Sequence, residues 1–300
     1  MANLPKFSNS KGQALLLVLL SMAVILTIVL SILSRSITDV AVTTRSEEAL
    51  RAFSAAEAGI ERALVVGSDI GTTEIGEAEF SADVSSFAQA SQDFAHPIKI
   101  LSGESLPLWF VAHDENKDVI CSAEFPCFTG DTVKVCWGEA GTPDNDALTP
   151  AIEATFFYAT TPGNYSTIQV ARAVYDPNST RIATNNFESI DVGTCTAGGQ
   201  DFAFQKTIDL PSLGIPLASY STADGLQFAK IRMLYNSSTK HSVGFDVNFA
   251  GNSTLPAQGT NIESTGSSGE ANRKIDVFRG FGEVPPIFDA AAFSSGGIVK

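Results

Sequence analysis

Four cysteines are the residues whose type and spacing point most directly to a chemistry: Cys121, Cys127, Cys136 and Cys195. Four thiols in an oxidising compartment allow three disulfide pairings. Cys121 and Cys127 enclose a short loop, whereas Cys136 lies on a predicted strand and Cys195 follows another, which favours pairing 121–127 with 136–195. Zinc is the alternative, but the C-x5-C-x8-C spacing lacks a C-x2-4-C knuckle and offers one nearby imidazole, His113.

The sequence offers little support for catalysis. His96, His113 and His241 are far apart and lie in polar or turn contexts that are typical of lone surface histidines. The chain has no nucleophile-elbow, phosphate-loop or H-E-x-x-H motif. Residues 113–118 and 144–146 could offer oxygen ligands to calcium, but neither loop follows the twelve-residue pattern, so solvated turns are the favoured interpretation. We predict no enzyme activity, no cofactor and no metal.

Charge excludes one class of partner. The net charge is −14, and because the residues up to Val66 carry six basic and five acidic side chains, the remainder holds −15. A strongly negative net charge repels phosphate, so we expect no bulk electrostatic binding of nucleic acid. A local basic patch is compatible with this net charge.

A stretch of 23 residues without a charged side chain, Gly12 to Ser34, precedes the main part of the chain. As a helix it would span roughly 35 Å, enough to cross a hydrocarbon core of about 30 Å. No proline occurs from Arg35 to Val66, so we predict one helix over residues 13–66 with a transmembrane segment at 13–34. Lys6 and Lys11 before the span place the N-terminus in the cytoplasm and the acidic remainder outside.

The second half of this helix is predicted to be amphipathic. Leu50, Phe53, Glu57, Ile60 and Leu64 fall on one side and are expected to bury against a domain. An adjacent strip of small residues would let another backbone approach closely; its members are Ala52, Ala56, Gly59 and Ala63. Glu57 lies among apolar positions, so its carboxylate must find a partner, in its own domain or in a neighbouring subunit, or stay at the wet rim of the contact.

The N-terminal 67 residues resemble PilX-type minor pilins of type IV pilus systems. The similarity rests on a short basic leader that ends in glycine, followed by GQALLLVLLSMAVILT and by AFSAAEAGIERAL at 52–64. It implies that a prepilin peptidase removes residues 1–12 after Gly12, and that the new N-terminus, Gln13, is methylated. It also implies that the helix then packs with other pilin helices, with a pilus assembly platform as a further partner.

One position departs from the pilin pattern. Most pilins have glutamate at the fifth mature position, where it resembles a tether to the preceding subunit, but here that position is Leu17. Some tip-capping pseudopilins lack this glutamate, since a subunit with none ahead of it has no partner for the charge. The departure favours a tip or priming role; a minor subunit along the shaft is the alternative.

Beyond Gly67 the hydrophobic period changes from 3.6 to 2, which predicts a mainly antiparallel β domain over residues 67–300. Two hairpins are predicted, 151–159 with 166–175 and 226–235 with 243–249. Residues 102–150 are interpreted as a loop-rich insertion that holds three cysteines. The C-terminal segment with Ile287, Phe288 and Phe293 is expected to dock on the sheet, or else to form an exposed contact. Asn-x-Ser/Thr sequences are interpreted as solvent-facing turns; they begin at Asn164, Asn178, Asn236 and Asn252.

These features together predict an α+β chain: a long pilin-like helix, transmembrane in its first half, followed by an exported β domain. The expected function is that of a structural minor pilin that primes, caps or joins a type IV pilus or pseudopilus. The expected location is the inner membrane in a single pass, and then the pilus or the cell surface. An adhesin or binding module on the same anchor is the alternative.

Overall fold

The computed structural model describes residues 13–248 and 254–283. The chain divides into two compact units. The helix unit consists of residues 1–83 and 263–276, and the sandwich unit consists of residues 84–262 and 277–300. The helices and strands given below are those of the described residues. The predicted leader 1–12 and the segment with Ile287, Phe288 and Phe293 lie outside them.

Three α-helices are present: α1 (Gln13–Val66), α2 (Ser179–Asn185) and α3 (Leu217–Ser221). The first eight strands are β1 (Ile70–Ile75), β2 (Ala78–Phe87), β3 (Asp93–Ala95), β4 (Ser105–Trp109), β5 (Ala112–His113), β6 (Val119–Ile120), β7 (Thr132–Glu139) and β8 (Ala151–Ala159). The next eight are β9 (Ile168–Asp176), β10 (Glu188–Ser189), β11 (Cys195–Ala197), β12 (Gln200–Asp209), β13 (Leu226–Leu234), β14 (Val243–Asp246), β15 (Gly259–Ser268) and β16 (Ala271–Gly280). The predicted α+β class is confirmed, as is the helix over 13–66.

The helix unit combines α1 with residues of a four-stranded sheet in the order β1–β2–β15–β16. Its strands come from both ends of the chain, because β1 and β2 follow the helix directly whereas β15 and β16 return about 180 residues later. Phe80 and Ala82 of β2 are buried together with Ala52, Ala56 and Ala63 of the helix. Small helical side chains therefore supply much of the buried apolar surface of this unit.

The sandwich unit contains two five-stranded sheets, β10–β9–β8–β13–β4 and β11–β12–β7–β14–β3. Alternate residues on the strands of both sheets form one hydrophobic core, as expected for two sheets packed face to face. Its largest fully buried side chains include Trp137, Phe156, Phe245, Phe110 and Phe128. Pairing is antiparallel except between β10 and β9.

One predicted hairpin is confirmed and the other is wrong. Strands β8 and β9 pair in register, with Ile152 opposite Tyr175. Strand β13 instead pairs with β8 and β4, whereas β14 pairs with β7 and β3 in the other sheet. Asn236 holds the connection, because its buried amide donates to the carbonyls of Ile100 and Thr239. The chain thus crosses between sheets where a hairpin was expected.

The interpretation of residues 102–150 as an insertion is also wrong. This stretch contains β4, which pairs with β13, and β7, which lies at the centre of the second sheet between β12 and β14. Its loops gave it an irregular composition, but its strands complete both sheets of the core.

The favoured cysteine pairing is confirmed. Cys121 bonds to Cys127 and Cys136 bonds to Cys195, with Cα–Cα distances of 5.3 and 5.9 Å. The second bridge belongs to a small cluster with Ala197 and Phe202, separate from the main core. Gly244 of β14 leaves room for the Phe202 ring, since a Cβ there would lie 2.7 Å from it.

Candidate assembly surface of the long helix

The first half of α1 is apolar on every side. Each large apolar side chain from Leu15 to Leu33 is 46–66% exposed, so no side of this half is covered by the described residues. The most apolar window of the helix has a mean hydropathy of 3.0, and the helix is long and apolar enough to cross a membrane. It is the one candidate span near the N-terminus among the residues that the structure describes.

Two hydroxyl groups within this half are bonded inside the helix. The Ser21 hydroxyl donates to the Val18 carbonyl at 2.9 Å, and the Thr27 hydroxyl donates to the Val24 carbonyl at 2.8 Å. A hydroxyl bonded in this way presents no unpaired donor to a lipid or to a helical bundle, where water is absent. These bonds fit the apolar surroundings that the hydropathy predicts.

The second half of α1 buries its strip of small residues. Ala52, Ala56, Gly59 and Ala63 are all buried. The backbone of Gly266 on β15 comes so close to the helix that a Cβ there would collide with the Ala52 carbonyl and the Ala56 amide. The prediction that this strip admits a close backbone is confirmed, and the backbone is that of the unit's own sheet.

The prediction that the larger side chains bury against the domain is wrong for three of the five. Leu50 is 66% exposed, Phe53 is 44% exposed and Glu57 is exposed, whereas Ile60 is buried and Leu64 is half-buried. The physical reason is the close approach at Gly266, which only small side chains permit. The sheet therefore takes the alanine side of the helix and leaves Leu50 and Phe53 facing outward.

Glu57 lies on the exposed side of α1 and not among buried apolar side chains. Its proposed role in contacts with a neighbouring subunit stays a prediction. We name the side that carries Leu50, Phe53 and Glu57 the exposed strip.

Polar contacts fix the start of the buried part of the helix. Arg51 forms an ion pair with Glu77, and the Glu270 amide donates to Glu48 Oε2 at 3.4 Å. Both contacts are solvent-exposed, so each contributes modestly to stability. They set the rotation of the helix on its sheet and therefore the direction in which the exposed strip points.

The processing positions lie at the edge of the described chain. Gly12 is outside the described residues, and Gln13 is the first residue of α1. Cleavage after Gly12 and methylation of Gln13 stay predictions.

The histidines are buried or half-buried, contrary to the prediction of surface residues. His96 packs against Phe278 with 5.3 Å between ring centroids, and its Nδ1 accepts a hydrogen bond from the Ile98 amide. Burial lowers the pKa of His96 to about 4. His241 Nδ1 accepts from the Glu139 amide, and burial also lowers the pKa of His241. Both imidazoles serve as neutral hydrogen-bond acceptors in the framework.

The two oxygen-rich loops use their carboxylates within turns. Asp114 Oδ1 accepts from the Asp118 amide at 2.9 Å, and Asp146 Oδ1 accepts from the Leu148 amide at 2.9 Å. Within residues 13–248 and 254–283 no group of three or more His, Cys, Asp or Glu side chains is arranged to hold a metal ion. The two loops thus show the turn hydrogen bonding of the favoured interpretation.

Two of the four Asn-x-Ser/Thr asparagines are buried, contrary to the prediction that these stretches face solvent. Asn178 accepts from the amides of Thr180 and Arg181 as the N-cap of α2. Asn236 is buried at the crossing between sheets. Asn164 caps a turn in the manner predicted, and Asn252 lies outside the described residues.

Sequence reasoning missed a charged cluster in the sandwich unit. The Arg181 guanidinium makes two 2.7 Å hydrogen bonds to the buried Asp176 carboxylate and lies 3.8 Å from the centre of the Tyr235 ring. Hydrogen bonds from Arg181, Asn178 and Asn185 hold the pKa of Asp176 below its usual value, against the opposing effect of burial. The five-residue spacing of Asp176 and Arg181 was the available signal, but acidic and basic residues at that spacing are common.

The feature that distinguishes this chain is thus the helix α1, apolar all round in its first half and exposed along one strip in its second. The sandwich unit is crosslinked by two disulfides. Comparison with protein-family models, with curated proteins and with solved structures finds no match.

Proposed function

We propose that this chain is a structural minor subunit of a type IV pilus or a related pseudopilus, similar to the PilX-type minor pilins. The observation that carries the proposal is the difference in exposed surface between the two halves of α1. Its first half exposes apolar side chains in all directions, and its second half covers the small-residue side and leaves Leu50, Phe53 and Glu57 exposed. A helix of this kind is suited to lie in a membrane first and to pack laterally against other helices later.

The proposed mechanism begins with insertion of residues 13–34 into the inner membrane, with Lys6 and Lys11 on the cytoplasmic side. A prepilin peptidase then removes residues 1–12, and Gln13 is methylated. The assembly platform transfers the mature chain into a filament, where α1 packs against other pilin helices and the sandwich unit is displayed outside. The two disulfides support export, because such bonds persist outside the reducing cytosol.

We propose a tip or priming position on the basis of Leu17. This fifth mature residue is an exposed apolar side chain on α1, and it offers no carboxylate to the N-terminal amine of another subunit. A subunit at the start of a filament has no subunit ahead of it that would require such a pair.

Mass spectrometry of the mature chain from membranes and from purified fibres tests the proposal. The expected N-terminus is Gln13 with one added methyl group, and a Gly12→Asp variant should keep residues 1–12. Deletion of the gene should lower the number of filaments per cell. A wild-type chain that retains its first twelve residues, or that is absent from every fibre and assembly complex, contradicts the proposal.

A second candidate function, a displayed binding module, is favoured by one feature of the sandwich unit. A cleft of about 530 Å³ is lined by apolar groups that include Ile98 and Phe278, by the cations Lys99 and Lys240, and by the acids Glu104 and Glu283. If the cleft binds a surface ligand, a Lys99→Glu and Lys240→Glu double variant should lose cell adhesion while filament number stays unchanged. If deletion of the gene lowers the number of filaments, and the double variant leaves both adhesion and filament number unchanged, the assembly role is supported instead.

A further inference from the structure

A small polar groove lies between two loops of the sandwich unit. One wall belongs to the β7–β8 connection, residues 140–150, and the other to the β13–β14 connection, residues 235–242. The groove has a volume of about 240 Å³, and at about 30 Å³ per water molecule it holds roughly eight waters. This volume limits a ligand to about one ring with its substituents. The polar groups that line the groove include Asp146, Asn236, Ser238, Thr239 and His241.

The first wall of the groove is fixed by the charged cluster behind it. Arg181, paired with the buried Asp176, donates to the Thr149 carbonyl at 2.8 Å. The side-chain amide of Asn178 donates to the Asp146 carbonyl at 3.1 Å. Because these bonds already hold the backbone of this wall, a ligand that enters the groove does not have to order a mobile loop, which would weaken its binding.

The second wall is fixed in the same way. The side-chain amide of Asn236 donates to the carbonyls of Ile100 and Thr239, both at 3.1 Å. The His241 backbone amide donates to the Ile100 carbonyl at 3.0 Å, and His241 Nδ1 accepts from the Glu139 amide at 3.2 Å. Because Nδ1 is an acceptor, the neutral imidazole carries its proton on Nε2, and this N–H is left to donate to a ligand.

The remaining polar groups of the groove include more hydrogen-bond acceptors than donors. Asn236 is 1% exposed, and its Oδ1 is buried without a hydrogen-bond partner among the described residues. Asp146 accepts from the Leu148 amide through Oδ1, which leaves Oδ2 for a ligand. The hydroxyls of Ser238 and Thr239 can donate or accept. A ligand that fits must therefore bring several donors, and it must not bring a negative charge close to the Asp146 carboxylate.

We propose that this groove binds one neutral sugar ring. Sugar hydroxyls both donate and accept, so neighbouring hydroxyls can donate to Asp146 and Asn236 and accept from His241 Nε2. Leu148, which is 44% exposed, and Pro143 add apolar surface for the C–H side of the ring. A few fixed polar groups beside apolar surface are typical of small-molecule sites. All lining residues belong to the sandwich unit, so the inference does not depend on the proposed assembly function.

Saturation-transfer NMR on the full-length chain tests this inference. The chain is kept in a deuterated detergent without a sugar headgroup, because such a headgroup would compete for the groove. The probes are the methyl glycosides of glucose, galactose and mannose, each at about 10 mM, since a ligand of this size is expected to bind with a Kd of about 1 mM. Glucosamine and glucuronic acid are compared with them, because they add a positive or a negative charge to the same ring.

The expected result is saturation transfer to at least one neutral glycoside. Asp146→Asn and Thr239→Val should each weaken its binding at least about fivefold, because each removes a hydrogen-bonding group from the groove. Asp144→Asn is the matched control, since Asp144 is an exposed acid of the same loop that does not line the groove, and it should leave binding unchanged. Thermal unfolding of the three variants shows whether any loss of binding comes from misfolding.

Two kinds of result would overturn the inference. The first is an absence of saturation transfer to all three neutral glycosides, or transfer that folded Asp146→Asn and Thr239→Val variants leave unchanged. The second is tighter binding of glucosamine or glucuronic acid than of every neutral glycoside, which would assign the groove to a charged ligand.

Discussion

The two units of this chain bury apolar surface in opposite ways. The sandwich unit encloses large rings between two sheets, including Trp137, Phe156 and Phe245, each almost fully buried. The helix unit buries alanines at Ala52, Ala56 and Ala63 and leaves Phe53 and Leu50 exposed on the same helix. A unit that functions alone would be expected to bury its large side chains and expose its small ones, since burial stabilises in proportion to apolar area. Along the helix this order is reversed where Leu50 and Phe53 are exposed beside the buried Ala52 and Ala56, and the proposed assembly function would use these exposed side chains.

The two units also depend on different interactions for their stability. The sandwich unit depends on volume, disulfides and neutral histidines, all of which lie within residues 84–262. The helix unit depends on the closeness of two backbones at Gly266. Substitutions that remove buried side-chain volume should therefore destabilise mainly the sandwich unit. Substitutions that force the two backbones apart at Gly266 should destabilise mainly the helix unit.

The largest effect is expected from the core of the sandwich unit. Trp137→Ala removes a fully buried ring whose Nε1 donates to the Pro150 carbonyl at 2.9 Å. We expect the free energy of unfolding of this unit to fall by about 3–5 kcal/mol, measured by chemical denaturation. Val192→Ala is the control, because Val192 is 100% exposed and should change stability by less than about 0.5 kcal/mol. Equal effects of the two substitutions would contradict the assignment of the core.

The two disulfides are expected to contribute differently to the free energy of unfolding. The Cys136–Cys195 bridge closes a separation of 59 residues and the Cys121–Cys127 bridge one of 6. On the chain-entropy account, replacing the first pair with alanines should cost about 4 kcal/mol and replacing the second about 2 kcal/mol. Thermal unfolding of the two double variants measures this difference. Protection of α1 against hydrogen exchange should be unchanged in both, and its loss would show that the units do not respond separately.

His96 makes the stability of the sandwich unit depend on pH. Its folded pKa of about 4 lies below the usual 6.5, so the unfolded state binds the proton more readily. The contribution is complete above pH 6.5 and is lost as the pH falls from 6.5 to 4, by at most about 3 kcal/mol. A His96→Gln variant should lose this part of the pH dependence in denaturation curves at pH 7, 5 and 4. A variant whose curve parallels that of the wild type would refute it.

A smaller effect is expected at the helix–sheet contact. Gly266→Val places a side chain against the Ala52 carbonyl and the Ala56 amide, and overpacking of this kind costs about 1–3 kcal/mol. The control is Gly71→Val in the same sheet, because a Cβ at Gly71 would meet nothing within 4 Å. Hydrogen exchange of residues 48–63 should become faster in the first variant only. If both variants leave the exchange unchanged, the close approach does not stabilise the unit.

The smallest effect on stability, and the most specific effect on assembly, is expected on the exposed strip. Phe53→Ser should change the unfolding free energy by less than about 0.5 kcal/mol, because the ring is 44% exposed. Under the proposed function it should lower incorporation into fibres, and Glu57→Ala tests the carboxylate in the same way. Ser54→Ala, also at an exposed position, is the matched control for the assay. Wild-type incorporation of both variants would remove the strip from the assembly surface.

Local patterns in the sequence predicted the elements well, and long-range partners poorly. Helix α1 and the β8–β9 hairpin follow from hydropathy, periodicity and a short turn, all of which are local. The partner of β13 could not be predicted, because alternation identifies a strand and its faces but not the sheet that it joins. Helical periodicity correctly identified the strip of small residues on α1 as a site of close backbone approach. It could not predict that the sheet would cover this strip and leave Leu50 and Phe53 exposed, since that depended on Gly266, about 200 residues away.

The use of strands from both ends of the chain has a consequence for synthesis. The helix residues up to Ala63 leave the ribosome about 200 residues before Glu263 to Asp276. At about 5–20 residues per second, this delay lasts roughly 10–40 s, and residues 84–262 are made within it. Until β15 has been synthesised, the side of α1 with Ala52 and Ala56 lacks the strand that covers it in the folded chain. The alanine side of α1 can therefore meet its own β15 only after the strands of the sandwich unit have been synthesised.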